Sequence, residues 1–173
     1  MNKIFNLKQF ENEMKLRFEK TQRDMSDPVV EAALYALFSG GKRLRPALMQ
    51  MAYQLFTDAP VKKCRPFQFA IEMIHSYSLI HDDLPAMDDD TMRRGKPCCH
   101  IVHGEASAIL AGDLLLNSAY EIMTEACLAD TNRQFLSAMY TIATAAGGRG
   151  MILGQSRDIA FEKRAFVSSA EIE

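Results

Sequence analysis

Apolar residues recur along most of this chain at helical spacing. Leu7, Phe10, Met14 and Phe18 fall three or four residues apart and predict a first amphipathic helix. Asp27 then precedes Pro28, a cap acceptor followed by a residue whose fixed φ suits a first helical turn. Val30, Ala33, Leu34 and Leu37 form the apolar face of that second helix, and Ser39-Gly40-Gly41 stops it. Pro46 can open a third helix, through Leu48, Met51 and Leu55. A polar, proline-marked loop is expected near 59–66. A fourth helix is expected from about Phe67 to His81, with Ala70, Ile71, Ile74, Ser78 and His81 along one side; Pro85 forbids its regular continuation. A long helix is expected from near Gly104 to Ala126. It begins "GEASAILAG", whose small residues suit close contact with another helix. "RQFLSAMYTIATAAGG" and "GMILGQSRDIAFEK" read as two more helices. No stretch alternates as a strand does, and nothing repeats. The expectation is an all-α fold, with 1–173 as a single α-helical domain.

Composition narrows the class. The chain has 173 residues, 48% of them hydrophobic and 24% charged, which is the balance of a soluble globular protein. A formal net charge of −2 gives no field that points to nucleic acid. No apolar run approaches the ~20 residues that span a bilayer, and the N-terminus "MNKIFNLKQFENEMK" is too polar for a secretory signal. The spacing of Cys64, Cys98, Cys99 and Cys127 is not that of a disulfide framework, so a cytoplasmic location is expected.

Two polar clusters interrupt the helices. "SLIHDDLPAMDDDTMRRGKP" sets Asp82, Asp83, Asp88, Asp89 and Asp90 beside Arg93 and Arg94 at the end of an apolar helix. Hard cations such as Mg²⁺ take oxygen ligands and often bridge carboxylates to phosphates. A turn at Pro85 could fold Asp88 back toward Asp82 to flank one metal cluster. The alternative is a solvated acidic loop with the arginines as surface partners. "GGKRLRP", Gly40 to Pro46, gathers Lys42, Arg43 and Arg45 before a helix N-terminus, which is a plausible grip for phosphate. The alternative is a set of cations complementing the preceding helix dipole. Together the clusters fit a substrate pair carrying two diphosphates, one bound through metal and one through basic side chains. His75, close to two turns before Asp82, could donate to a phosphate or sit satisfied in the core. Cys98, Cys99, His100 and His103 are too crowded for a tetrahedral zinc site. The His81-Asp82 pair alone would admit an HD-type phosphohydrolase, a reading that leaves "GGKRLRP" unexplained.

"GGKRLRP", "EMIHSYSLIHDDLPAMDDDTMRRGKP", "GEASAILAGD" and "GQSRD" at Gly154–Asp158 resemble the trans-polyprenyl diphosphate synthases, most of all the bacterial short-chain farnesyl and geranyl type. The resemblance runs from about Phe10 to Ala160. It implies an isoprenoid-synthase-type helical bundle around a deep cavity, a homodimer, and a Mg²⁺-dependent prenyltransferase that condenses isopentenyl diphosphate with dimethylallyl or geranyl diphosphate. It further implies that Asp82 and Asp88 hold Mg²⁺ with help from Asp83, and that Arg93 grips the allylic diphosphate. Lys42, Arg45, His75 and Arg94 would bind isopentenyl diphosphate, with Gln155 and Asp158 near the allylic site. An aromatic at Tyr77, beside Ser78 and one turn before Asp82, would limit product length.

The resemblance also implies a second aspartate-rich motif and a lysine-threonine motif, and neither appears in the chain. Ser168 and Glu171 have the spacing of a capping box, the usual start of a helix. The expectation is therefore a bundle truncated before the second acidic motif. An inactive chain serving as a dimerisation partner is the alternative function.

Overall fold

A computed structural model of the chain describes residues 5–130, 133–162 and 168. Of the Ser168–Glu171 capping box, Glu171 lies outside the described residues. The structure is helical, as the periodicity predicts. Its described residues fall into two compact units that divide between 132 and 133.

The first unit holds α1 (Leu7–Thr21), α2 (Pro28–Leu37), α3 (Leu44–Phe56), α4 (Arg65–Asp82), α5 (Cys99–His103) and α6 (Glu105–Ala129). Phe10, Met14 and Phe18 are the buried face of α1, as their spacing requires. Asp27 caps α2 by accepting a hydrogen bond from the Val29 N–H at 2.8 Å, with Pro28 in the first turn. The helix buries Val30, Ala33 and Leu37, with Ala32 as well.

Helix α4 is the axis of this unit and is buried around most of its circumference, from Phe67 to Ile80. It begins before the expected boundary because Pro66 is accommodated in its first turn. Its main partner is α6. The small residues of "GEASAILAG" do permit close approach: Ala108, Ala111 and Gly112 are buried, and a Cβ on Gly112 would run into the His81 ring. That ring shares a 3.0 Å hydrogen bond with the Ile109 carbonyl.

Three local expectations are corrected. Helix α3 opens at Leu44 rather than at Pro46; its Leu48, Met51 and Leu55 are exposed, and it buries Pro46 and Gln50. On that buried side the Gln68 amide of α4 donates to the Pro46 carbonyl at 2.7 Å. The long helix expected from Gly104 is preceded by α5, with Gly104 at φ +82° between them. There is also strand structure: β1 (Met92–Arg93) and β2 (Lys96–Pro97) pair antiparallel, Met92 opposite Pro97 and Arg93 opposite Lys96. Strands of two residues are too short to show an alternating pattern.

The second unit contains α7 (Arg133–Ala146) and α8 (Met151–Glu162). Gly150 ends the turn between them, where a Cβ would collide with the Ala145 backbone. Among the described residues no helix is long and apolar enough to cross a membrane.

Candidate active site

The basic cluster becomes one face of a cleft of about 420 Å³. Lys42 reaches it from the loop before α3, Arg45 from the first turn of α3, His75 from α4 and Arg94 from the hairpin. The four residues expected to hold isopentenyl diphosphate therefore line a single pocket. Two glycines shape it. Gly40 and Gly41 have φ of +101° and +126°, a region that side chains strain to enter. The Arg94 guanidinium donates to the Gly40 carbonyl and lies where a Cβ on Gly41 would stand, 2.6 Å from Nη1.

Charge in the pocket is mixed. Burial pushes the His75 imidazole down to about 4, and Arg45 is the next cause. At neutral pH His75 is an uncharged ring that can donate one N–H. Arg94 is held below the usual arginine range, by burial and then by Arg43.

Arg43 and Glu72 are the residues whose parts the sequence concealed. Arg43 is not a working cation of the loop. It has φ +49° and its side chain is buried, donating to Glu72 at 2.8 Å, Glu11 at 2.9 Å and the Leu37 carbonyl at 2.8 Å. Glu72 forms part of the pocket wall and is 2% exposed. A carboxylate inside the apolar run "FAIEMIHSY" was the available signal, since a buried acid needs a partner.

The acidic stretch folds as the Pro85 interruption predicts. Asp82 ends α4 and Asp83 caps it, its N–H donating to the Leu79 carbonyl at 3.1 Å. The chain then turns back, and the Asp88 N–H donates to the Asp82 carbonyl at 2.9 Å. Asp89 completes the reversal in the left-handed region, at φ +53°. Asp83 is buried, and Arg93 Nε donates to it at 2.6 Å. Arg93 also bonds Asp90 at 3.3 Å, and the hydrogen bond to Asp83 raises its pKa above the ordinary value. The Cys98 thiol, hydrogen-bonded to Asp83, is pushed up to about 12, first by burial.

Among the described residues no three acidic, histidine or cysteine side chains gather closely enough to hold a metal ion by themselves. The donor set still fits a hard cation of the magnesium kind. Such an ion characteristically takes one or two carboxylates and completes its shell with water and phosphate oxygens. Asp82 and Asp88, joined through the backbone, would supply that pair, while Asp83 serves Arg93.

Tyr77 is buried one turn before Asp82 and meets the His81 ring edge-on, 5.7 Å between centroids. Ser78 donates to the His75 carbonyl at 2.9 Å. Gln155 and Asp158 lie three residues apart on α8, in the second unit.

The polyprenyl synthetase family model matches residues 27–172. The chain belongs to the polyprenyl synthetase family. A farnesyl diphosphate synthase of Haemophilus influenzae is 48% identical over 146 residues, covering 84% of this chain and 48% of that protein. One from Bacillus subtilis is 42% identical over 158 residues, covering 91% of this chain and 52% of its own length. The chain thus spans about half the length of the curated relatives it matches. Among solved structures, an FPP/GFPP synthase from Zymomonas mobilis is 37% identical with a TM-score of 0.83, covering 95% of this chain and 60% of the other. A geranyltransferase from Legionella pneumophila is 36% identical with a TM-score of 0.84, covering 95% and 59%.

Proposed function

We propose that this chain supplies both diphosphate-binding surfaces of a short-chain prenyltransferase, which joins isopentenyl diphosphate to dimethylallyl or geranyl diphosphate with Mg²⁺. The observation that carries the reading is the convergence of Lys42, Arg45, His75 and Arg94, from three separate segments, on one cleft. A pocket of that charge beside a carboxylate turn suits two diphosphates better than one. The similarity to farnesyl diphosphate synthases supports the same substrates.

In this reading Asp82 and Asp88 would hold the metal, which would supply Lewis-acid stabilisation to the allylic diphosphate as a leaving group. Arg93, fixed by Asp83, places positive charge beside the same group. Lys42, Arg45 and Arg94 fix isopentenyl diphosphate as the nucleophile, and neutral His75 donates a hydrogen bond to it. Anchoring both partners makes the encounter effectively unimolecular. The allylic C–O bond breaks, the isopentenyl double bond supplies the electron pair for the new C–C bond, and a proton leaves to the released diphosphate. The apolar wall of α4 keeps water from the cation. Tyr77 and Ser78 lie one turn deeper along that wall, where a growing chain would meet the Tyr77 ring; Tyr77→Ala should lengthen the product.

The test is a titration of the chain with each substrate. Isopentenyl diphosphate binding should be lost in Lys42→Ala, and Mg²⁺-dependent geranyl diphosphate binding should be lost in Asp82→Ala. Binding of neither substrate, or binding indifferent to both substitutions, would contradict the reading. Farnesyl diphosphate formed from the two substrates would extend it to the complete reaction.

A further inference from the structure

We infer that Arg43 and Glu72, whose buried side chains lie in the wall of the basic pocket, are positioning residues that set its exposed cations without touching the anion. The inference rests on the diphosphate reading of that pocket. Arg43 sits in the middle of the loop, between Lys42 and Arg45, and is the one basic residue of "GGKRLRP" whose side chain is fully buried. Its guanidinium joins three parts of the fold: Glu11 on α1, the C-terminal carbonyl of α2 at Leu37, and Glu72 on α4. The entry to α3 is therefore tied to three other helices, and the exposed Lys42 and Arg45 on either side of Arg43 line the cleft.

The backbone supports the same assignment. Arg43 is in the left-handed region, at φ +49°, as the residue preceding α3. That conformation is unfavourable for a side chain with a Cβ and persists only where the surroundings impose it. Here the buried fork imposes it. A planar guanidinium can make all of these bonds at once, and an ammonium cannot reproduce their geometry.

Glu72 has a second consequence. It lines an anion-binding cleft while carrying the wrong charge for it. Arg43 Nη1 lies 2.8 Å from it and offsets that charge, so the wall does not repel a phosphate. Without the guanidinium, a buried carboxylate would face the incoming anion.

Inorganic pyrophosphate is the probe, with binding measured across a salt series well below each protein's melting temperature. Arg43→Gly relieves the left-handed backbone but removes the fork; Arg43→Lys keeps charge but not geometry. Both should weaken binding about tenfold or more, with the same salt dependence as the unsubstituted chain, because the number of cations touching the anion is unchanged. Glu72→Gln, which keeps an acceptor for Arg43, should lose less than either. Lys42→Ala is the control and should reduce the salt dependence. Unaltered affinity in the folded Arg43 variants would overturn the proposal, because Arg43 would then serve stability alone. A fall in salt dependence as large as that of Lys42→Ala would overturn it too, because Arg43 would then be a direct ligand. Failure of the unsubstituted chain to bind pyrophosphate would remove the diphosphate reading itself, before any variant is compared.

Discussion

In the basic pocket the buried charges sit in the wall and the exposed cations are separate residues; in the acidic turn buried and exposed charges share one short segment. The Arg43 side chain is buried at the entry to α3 and bonds Glu11 and Glu72 there, while Lys42 and Arg45 are exposed. At the turn, Asp83 is the buried carboxylate and Arg93 is its partner, so an acid and a base drawn from the same short segment neutralise each other. The difference is one of readiness. The basic pocket is assembled for an anion by the protein's own buried charges. The acidic turn commits Asp83 and Asp90 to Arg93 and brings Asp82 and Asp88 together through a backbone hydrogen bond; in the proposed reading a cation and phosphate oxygens complete it.

Substitutions can break that contrast. The largest effect is expected at the turn: Asp82→Ala should weaken Mg²⁺-dependent binding of geranyl diphosphate roughly a hundredfold or more, since even partners outside a metal's ligand shell cost tenfold to a hundredfold. Pyrophosphate binding without Mg²⁺ should stay nearly unchanged in the same titration. Arg45→Ala should do the reverse, removing a charge-assisted contact of about 1.5–3 kcal/mol from the Mg²⁺-independent site. Comparable losses at both sites from either variant would mean the two regions are one. Gly41→Ala should come next. It forces a side chain to φ +126° and against the Arg94 guanidinium. Strain of this kind costs about 1–3 kcal/mol, visible as a lower melting temperature together with weaker pyrophosphate binding.

The smallest effect concerns protons. His75 is pushed down to about 4, below its ordinary value of 6.5, so the unfolded chain takes up a proton before the folded one does. Stability contributed by this group is present above pH ~6.5 and is lost as pH falls toward 4. His75→Gln should flatten that acid-side decline in urea titrations. A bound diphosphate favours the charged ring, so pyrophosphate binding near pH 5 should take up protons, which calorimetry in buffers of different ionisation enthalpy would detect.

Much of this arrangement was legible in the residues. The Asp27-Pro28 start of α2, the Phe10, Met14 and Phe18 face, and the return of Asp88 toward Asp82 all follow from local chemistry: a cap, a helical period and a proline break. What stayed hidden was set by partners distant in sequence. Nothing in "GGKRLRP" separates Arg43 from its neighbours, because Glu11 and Glu72 lie on other helices. The orientation of α3 was equally hidden, since its apolar Leu48, Met51 and Leu55 are exposed while the polar Gln50 is buried with Pro46. The hairpin that sends Arg93 to the acidic turn and Arg94 to the basic pocket pairs only two residues per strand. Gln155 and Asp158 were expected near the allylic site from the resemblance, and their part in binding is a question for substitution.

The most direct measurement is calorimetric titration of the chain with inorganic pyrophosphate, with and without Mg²⁺, in the unsubstituted, Lys42→Ala and Asp82→Ala proteins. A preassembled basic pocket beside a metal-completed turn predicts one binding event without Mg²⁺, abolished by Lys42→Ala alone, and a second that appears with Mg²⁺ and is abolished by Asp82→Ala alone. A single Mg²⁺-dependent event that vanishes in both variants would contradict it.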